Sequence, residues 1–266
     1  MIRLGTAGIP ISFDGSSIEA IPFIKKLGLQ ALEVEFVRGV HMSIPIAKEL
    51  GKIAKENDIA LSIHAPYYIN LASHEKVKII DSKKRILDSL ERGDAMGARI
   101  VVMHPGYYGK HSKEECYKII KEQCQEIIDK FNGKCLLGLE TTAKQAAFGT
   151  VEEILQICKD VKGCVPVIDF AHLFARDSKI DYSEVLDKFK GYKHLHCHFS
   201  NMKKNKDGSY TDNHVPIDNA PAFEPLAKEI LKRKLDITII SESPLIEKDA
   251  LKMKKIFEKL GYKFIF

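Results

Sequence analysis

The sequence of 266 residues contains no tryptophan and no long apolar segment. Because a helix needs about 20 consecutive apolar residues to cross a membrane, we expect no membrane association. The first residues, MIRLGTAGIPISF, also lack the basic start and the apolar stretch of a secretory signal peptide. These two absences predict a cytoplasmic protein.

The sequence also lacks C-x-x-C pairs, which mark many zinc and redox sites. Its 6 cysteines are scattered along the chain, and we expect them to be reduced thiols. With 45% hydrophobic and 29% charged residues, the composition excludes a disordered, collagen-like or disulfide-scaffold protein. The net charge of +5 is compatible with a polyanionic partner but is only weakly diagnostic.

The chain alternates short apolar, β-branched segments with longer amphipathic ones. Alternation of this kind predicts parallel strands joined by right-handed helical crossovers. Eight units in this length fit a closed barrel better than an open sheet, so we predict one α/β domain over residues 1–266, a (β/α)₈ TIM barrel. The predicted strands are 2–7, 31–36, 59–65, 99–105, 135–141, 165–169, 193–199 and 236–243.

Histidine, aspartate and glutamate, which commonly bind metals, lie near the ends of the last six predicted strands. Two more such residues follow in the loop after the seventh strand. In a TIM barrel the carboxyl ends of the strands meet at one face, where catalytic residues lie. Buried charged groups are costly unless they are paired or bind a metal, so this convergence predicts a metal site there. The residues concerned are His64, His104, Glu140, Asp169, His172, His196, His198, Asp212, His214 and Glu242.

The mixture of imidazole and carboxylate favours Zn²⁺, with Mn²⁺ and Fe²⁺ as alternatives. One ion cannot use so many ligands, so two or three ions are expected, with a carboxylate bridging a pair. Two metal ions about 3.5–4 Å apart suit an in-line displacement at phosphorus.

Several longer motifs then identify a resemblance. The segments HAPYYINLAS, VVMHPG, LLGLETTAKQAAFG, VIDFAHLFARD and ESP closely resemble those of the endonuclease IV family. Members of that family are (β/α)₈ apurinic/apyrimidinic (AP) endonucleases with three zinc ions. The resemblance implies hydrolysis of the phosphodiester 5′ to an abasic site in double-stranded DNA, giving a 3′-hydroxyl and a 5′-deoxyribose phosphate, in base excision repair.

The matching motifs also imply site residues, and Glu140 would be the central catalytic group as a bridging ligand. The implied zinc ligands are His64, His104 and Glu140 for the first ion; Glu140, Asp169, His196 and Glu242 for the second; and His172, Asp212 and His214 for the third. His196 and His198 share one face of a strand, so the two could exchange roles.

Contacts to DNA are implied for the loop after His64. Its residues Tyr67, Tyr68 and Asn70 would enter the minor groove beside the flipped abasic nucleotide. Exposed tyrosines there can fill the gap that a missing base leaves. Arg38, in the segment EFVRGVHM, is a further candidate contact. A monomer is the simplest expectation for a protein that wraps a bent duplex.

Two other functions compete with this interpretation. A sugar isomerase or epimerase of the xylose isomerase-like class would use a Glu–Asp–His–Glu metal set, here Glu140, Asp169, His196 and Glu242. Such an enzyme does not need the remaining histidines and Asp212 as ligands. A non-catalytic DNA-binding barrel is disfavoured, because every ligand position is filled.

Overall fold

The computed structural model describes residues 1–265 and shows a closed barrel of eight parallel strands, which confirms the predicted fold. Each strand pairs with its neighbour in the chain, and the last strand pairs with the first. The barrel strands are β1 (Ile2–Ala7), β2 (Ala31–Glu35), β3 (Ala60–His64), β4 (Ile100–Met103), β5 (Leu136–Glu140), β6 (Cys164–Asp169), β7 (Leu195–Phe199) and β8 (Ile237–Ser241).

Helices alternate with these strands and cover the outside of the barrel. Several of them begin with a capping box, among them Ser112 with Glu115 and Thr150 with Glu153. The helices are α1 (Ser17–Lys26), α2 (Ile44–Glu56), α3 (Lys76–Met96), α4 (Lys113–Lys130), α5 (Val151–Asp160), α6 (Phe170–Asp177), α7 (Tyr182–Lys188), α8 (Phe223–Arg233) and α9 (Glu247–Lys259). Among residues 1–265, none of the helices is long and apolar enough to cross a bilayer.

The main apolar core lies between the barrel and its helices. Buried isoleucine, leucine and phenylalanine side chains from strands and helices form one large cluster there. Two glycines permit close packing around it. A Cβ at Gly5 would lie 2.5 Å from the carbonyl oxygen of Ala31, and a Cβ at Gly51 would lie 2.2 Å from that of Met96. These approaches bring β1 against β2 and α2 against α3.

Two short antiparallel ribbons extend from the carboxyl ends of the barrel strands. One joins Gly106–Tyr107 to Ala147–Phe148, and the other joins Asn201–Lys204 to Tyr210–Val215. The second ribbon carries Asp212 and brings His214 back over the barrel mouth. Both ribbons therefore frame the face at which the sequence placed the candidate ligands.

Candidate metal centre

Glu140, at the end of β5, lies at the centre of a cluster of histidine and carboxylate side chains. Its carboxylate is fully buried. Its Oε2 lies 3.3 Å from His64 Nε2 and 2.8 Å from His104 Nε2. These three residues form the first group, and their ligand atoms all lie within 4.8 Å of one another. The group has the same members as the ligand set that the resemblance implied for the first ion.

The second group consists of Glu140, Asp169, Glu242 and His198. His198 Nδ1 lies 3.0 Å from Glu140 Oε1 and 3.2 Å from Glu242 Oε1. All four side chains come from strand ends, and the His198 ring is fully buried. The structure thus places His198 where the resemblance had placed His196.

The register of the barrel explains this difference between the two histidines. His198 pairs with Asp169 in the adjacent strand, whereas His196 pairs with the apolar Val167. His196 therefore lies one layer deeper in the barrel, with its Nε2 2.8 Å from Glu33 Oε2. Both rings face the interior, as the alternation of strand residues requires, but His198 is the one that reaches Glu140.

The third group contains Asp169, His172 and His214. Asp169 caps α6, and its Oδ1 accepts a hydrogen bond of 2.7 Å from the His172 backbone amide. Asp212 lies beside the group, with its Oδ1 3.4 Å from His172 Nε2 and 3.9 Å from His214 Nε2. The cap on α6 positions His172, and the ribbon strand Tyr210–Val215 positions Asp212 and His214, so that the third group adjoins the second.

The spacing of the donors fits divalent metal ions. Ligand atoms about 2.0–2.1 Å from a tetrahedral zinc ion lie about 3.3 Å from one another. The contacts in the first two groups run from 2.8 Å to 3.3 Å. Several buried atoms here also lack a hydrogen-bond partner, including His104 Nε2 and Asp169 Oδ2. Buried polar atoms are seldom left unsatisfied, so these are the atoms that a cation would engage.

The balance of charge in the cluster also favours bound cations. In the described part of the chain, the ion pairs of Glu140, Asp169 and Glu242 are with histidine rings. An ammonium group reaches the cluster at its rim, where Lys144 Nζ lies 3.6 Å from Asp212. Several buried carboxylates without a buried lysine or arginine need positive charge either from protonated histidines or from bound divalent ions.

The pKa values of the metal-free site reflect this imbalance. Burial lowers the pKa of His64, but its bond to Glu140 and its proximity to Glu35 outweigh burial and raise the pKa to about 10. Burial, with help from Glu140 and Asp169, raises the pKa of Glu242 to about 8. Despite burial, the nearby carboxylates also raise the pKa values of His172 and His198, so without metal these two rings and His64 supply counter-charges as protonated imidazoles. Because a ligating imidazole nitrogen carries no proton, metal binding would displace protons from these rings.

A cavity of about 540 Å³ opens above the cluster and is lined by Tyr67, His104, His214 and Glu242 among others. Tyr67 is 63% exposed, and the next residue, Tyr68, is 65% exposed. Asn70 is turned inward, and its Oδ1 accepts hydrogen bonds from the backbone amides of Ala72 and Tyr107. This side chain joins the loops after β3 and β4. Arg38 is exposed in the loop after β2.

Sequence reasoning missed two glutamates on β2, Glu33 and the half-buried Glu35. Glu33 is fully buried and contacts both His196 and His198. Glu35 lines the cavity and pairs in register with His64. The sequence did contain a signal for them: the two glutamates alternate with Leu32 and Val34, so both must lie on the same face of the strand.

Known proteins with similar sequences identify the family of this chain. The model of the xylose isomerase-like TIM barrel family matches residues 21–260. The chain belongs to this family. An uncharacterized protein of Methanocaldococcus jannaschii is 36% identical over 98% of both chains. A protein named "Probable endonuclease 4" from Aster yellows witches'-broom phytoplasma is 34% identical over 75% of this chain and 74% of its own. The resemblance to the endonuclease IV family is confirmed.

Solved structures share the fold across nearly the whole chain. A D-tagatose 3-epimerase-like protein superimposes with a TM-score of 0.73 at 21% identity, covering 97% of this chain and 96% of the other. Endonuclease IV from Thermus thermophilus gives 0.71 at 20% identity, covering 97% and 98%. The backbone alone therefore fits both nucleases and epimerases, and the side chains of the site must decide between them.

Proposed function

We propose that this TIM barrel protein is a metal-dependent AP endonuclease. It would hydrolyse the phosphodiester 5′ to an abasic site in double-stranded DNA and leave a 3′-hydroxyl and a 5′-deoxyribose phosphate. Three zinc ions are the expected cofactors, with Mn²⁺ and Fe²⁺ as alternatives. The observation that carries the proposal is the third group, in which His172 and His214 join Asp169 beside the Glu140 cluster.

The competing function is a metal-dependent sugar isomerase or epimerase. The second group, with Glu140, Asp169, His198 and Glu242, would suffice for that chemistry. It leaves no role for His104 and His64 on one side or for the third group on the other. A site with three adjoining groups is better matched to a phosphodiester, whose attacking and leaving oxygens both need stabilisation.

The residues that would hold the ions divide among the three groups, with Glu140 shared by two and Asp169 by two. Bound ions would supply Lewis acidity and an activated water for attack on phosphorus. The protein's part is to position these ligands. The His172 Nδ1 lies 3.0 Å from the carbonyl oxygen of Thr141, which fixes the ring and leaves Nε2 facing Asp212. Such outer contacts orient the ligands of a metal site.

The rim of the cavity provides contacts of the kind that DNA requires. Lys144 is more than half exposed beside Asp212 and can contact a phosphate without leaving the site. Tyr67 lines the same cavity as Lys144, and it and Tyr68 offer exposed aromatic surface that could fill the gap left in the duplex by a flipped-out nucleotide. We propose that Arg38 and the loop held by Asn70 extend this surface.

The test is incision of a labelled duplex with one tetrahydrofuran abasic analogue. The protein is used as purified, after removal of metal with EDTA, after reloading with Zn²⁺ or Mn²⁺, and as the Glu140→Gln variant. We expect cleavage by the purified and reloaded protein, with a 3′-hydroxyl product, and its loss in the other two samples. The analogue cannot undergo β-elimination, so cleavage would be hydrolytic.

A panel of free ketoses, incubated with the same reloaded protein, tests the competing function. Epimerised sugar together with an intact duplex would show that the protein is a sugar epimerase and not an AP endonuclease. An intact duplex after reloading with either metal would by itself exclude the proposed activity.

A further inference from the structure

We propose that Glu33 is a positioning residue: it holds His198 from below so that its Nδ1 faces Glu140 and Glu242. This inference rests on the proposed metal site and extends it to Glu33, which belongs to none of the three ligand groups described above. It also gives a role to His196, which lies against Glu33 and not against the ligand cluster.

The two oxygens of the Glu33 carboxylate are divided between two histidines. Oε2 lies 2.8 Å from His196 Nε2, and Oε1 lies 2.8 Å from His198 Nε2. The opposite nitrogen of His198 faces Glu140 Oε1 at 3.0 Å and Glu242 Oε1 at 3.2 Å. The His198 ring thus lies between Glu33 inside the barrel and the ligand cluster at its mouth. Glu33 and His198 are both fully buried.

The chemistry of a ligating histidine explains this arrangement. A neutral imidazole has one bare nitrogen for the metal and one N–H that needs an acceptor. If Nδ1 of His198 binds the ion, its Nε2–H faces Glu33 Oε1. The two atoms are buried and 2.8 Å apart, although they are not aligned as a hydrogen bond, and neither has a hydrogen-bond partner elsewhere. A carboxylate behind a ligating histidine fixes its tautomer and raises its basicity.

His196 completes the arrangement by occupying the second oxygen of Glu33. A buried carboxylate with one partner could rotate away from His198, whereas one with a partner on each oxygen has a fixed plane. The register supports this order of layers, because His196 pairs with Val167 and His198 with Asp169. Glu33 belongs to β2, which is separated from β7 around the barrel by two strands, β8 and β1.

An ion bound by Glu33, His196 and His198 is the alternative, since their ligand atoms also lie within 4.8 Å of one another. His198 would then have to bridge two ions through both nitrogens and give up its remaining proton. Positioning requires no such deprotonation, and the experiment separates the two cases by counting metal equivalents.

The test compares zinc-loaded wild-type protein with Glu33→Gln, which keeps the side-chain size but removes the charge. Metal affinity is measured by chelator competition. The protonation and metal binding of the two His198 ring nitrogens are measured by ¹⁵N nuclear magnetic resonance. In the wild type we expect a metal-bound Nδ1 and a hydrogen-bonded Nε2–H. In the variant we expect one equivalent to bind about 10–100-fold more weakly, and the Nε2–H proton signal to shift upfield.

His194→Gln is the matched control. It lies on the same face of the same segment as His196, but its Nε2 contacts Thr238 Oγ1 at 3.2 Å and not Glu33. We expect its metal affinities and the His198 signals to match those of the wild type.

Unchanged affinity together with an unchanged His198 resonance in Glu33→Gln would overturn the inference. Loss of a fourth equivalent, with the other three intact, would overturn it in favour of a metal site at Glu33. Both results are distinct from failure of the proposed function, which would appear as metal-loaded wild-type protein that binds zinc but does not incise the abasic duplex.

Discussion

The two histidines of β7 allow a sharp prediction, because they belong to the same strand and face but to different layers. His198 contacts Glu140 and Glu242 at 3.0 Å and 3.2 Å, whereas His196 contacts Glu33. Replacing each in turn by glutamine removes one buried imidazole. We expect His198→Gln to lose one equivalent of metal and the incision activity with it.

His196→Gln should keep every metal equivalent, because it removes a support of Glu33 and not a ligand. Loss of an outer-shell partner costs about 10–100-fold in metal affinity, which corresponds to about 1.4–2.8 kcal/mol. High zinc concentration should therefore restore incision by His196→Gln but not by His198→Gln. Metal content by mass spectrometry and titration against a chelator provide the measurement. If zinc restored incision by His198→Gln but not by His196→Gln, the conclusion from the register that His198 is the metal ligand would be refuted.

Three further predictions concern packing, pH and DNA contact. Gly51→Ala should destabilise the protein by about 1–3 kcal/mol in urea unfolding, because its Cβ would lie 2.2 Å from the Met96 oxygen; Gly191→Ala, with nothing within 4 Å, should not. Metal-free protein should lose thermal stability from about pH 7 to 10. His64, with its pKa raised from 6.5 to about 10, stabilises the fold below its unfolded pKa and ceases to do so as pH rises, so His64→Gln should flatten this fall. The double variant Tyr67→Ala/Tyr68→Ala should weaken abasic-duplex binding by about 5–150-fold per stacked base lost, at unchanged metal content, and unchanged binding would remove the tyrosines from the interface.

Local sequence signals were sufficient for the barrel and for most of the candidate site. Apolar segments marked all eight strands, and a capping residue followed by glutamate three positions later marked the starts of α4 and α5. His64, His104 and Glu140 could be grouped from their motifs, and the structure brings them together. In a parallel barrel, the position of a residue at the end of a strand is enough to place it at the mouth.

The choice between His196 and His198 could not be made in this way. The two histidines satisfy the same alternation, and only the register between β6 and β7 shows which one is level with Asp169. Register depends on how eight strands close into a barrel, which no single segment encodes. Glu33 was missed for a different reason: it lies in the middle of β2 with no histidine near it in the sequence, and its partners on β7 come into contact with it only in the folded chain.

The most direct test of the account is anomalous diffraction at the zinc edge from crystals of zinc-loaded protein. We predict three peaks at the barrel mouth. The first should lie among His64, His104 and Glu140, the second among Glu140, Asp169, His198 and Glu242, and the third among Asp169, His172 and His214 beside Asp212. Absence of peaks in zinc-loaded crystals, or peaks away from these groups, would contradict the central claim that this side-chain cluster is a metal centre.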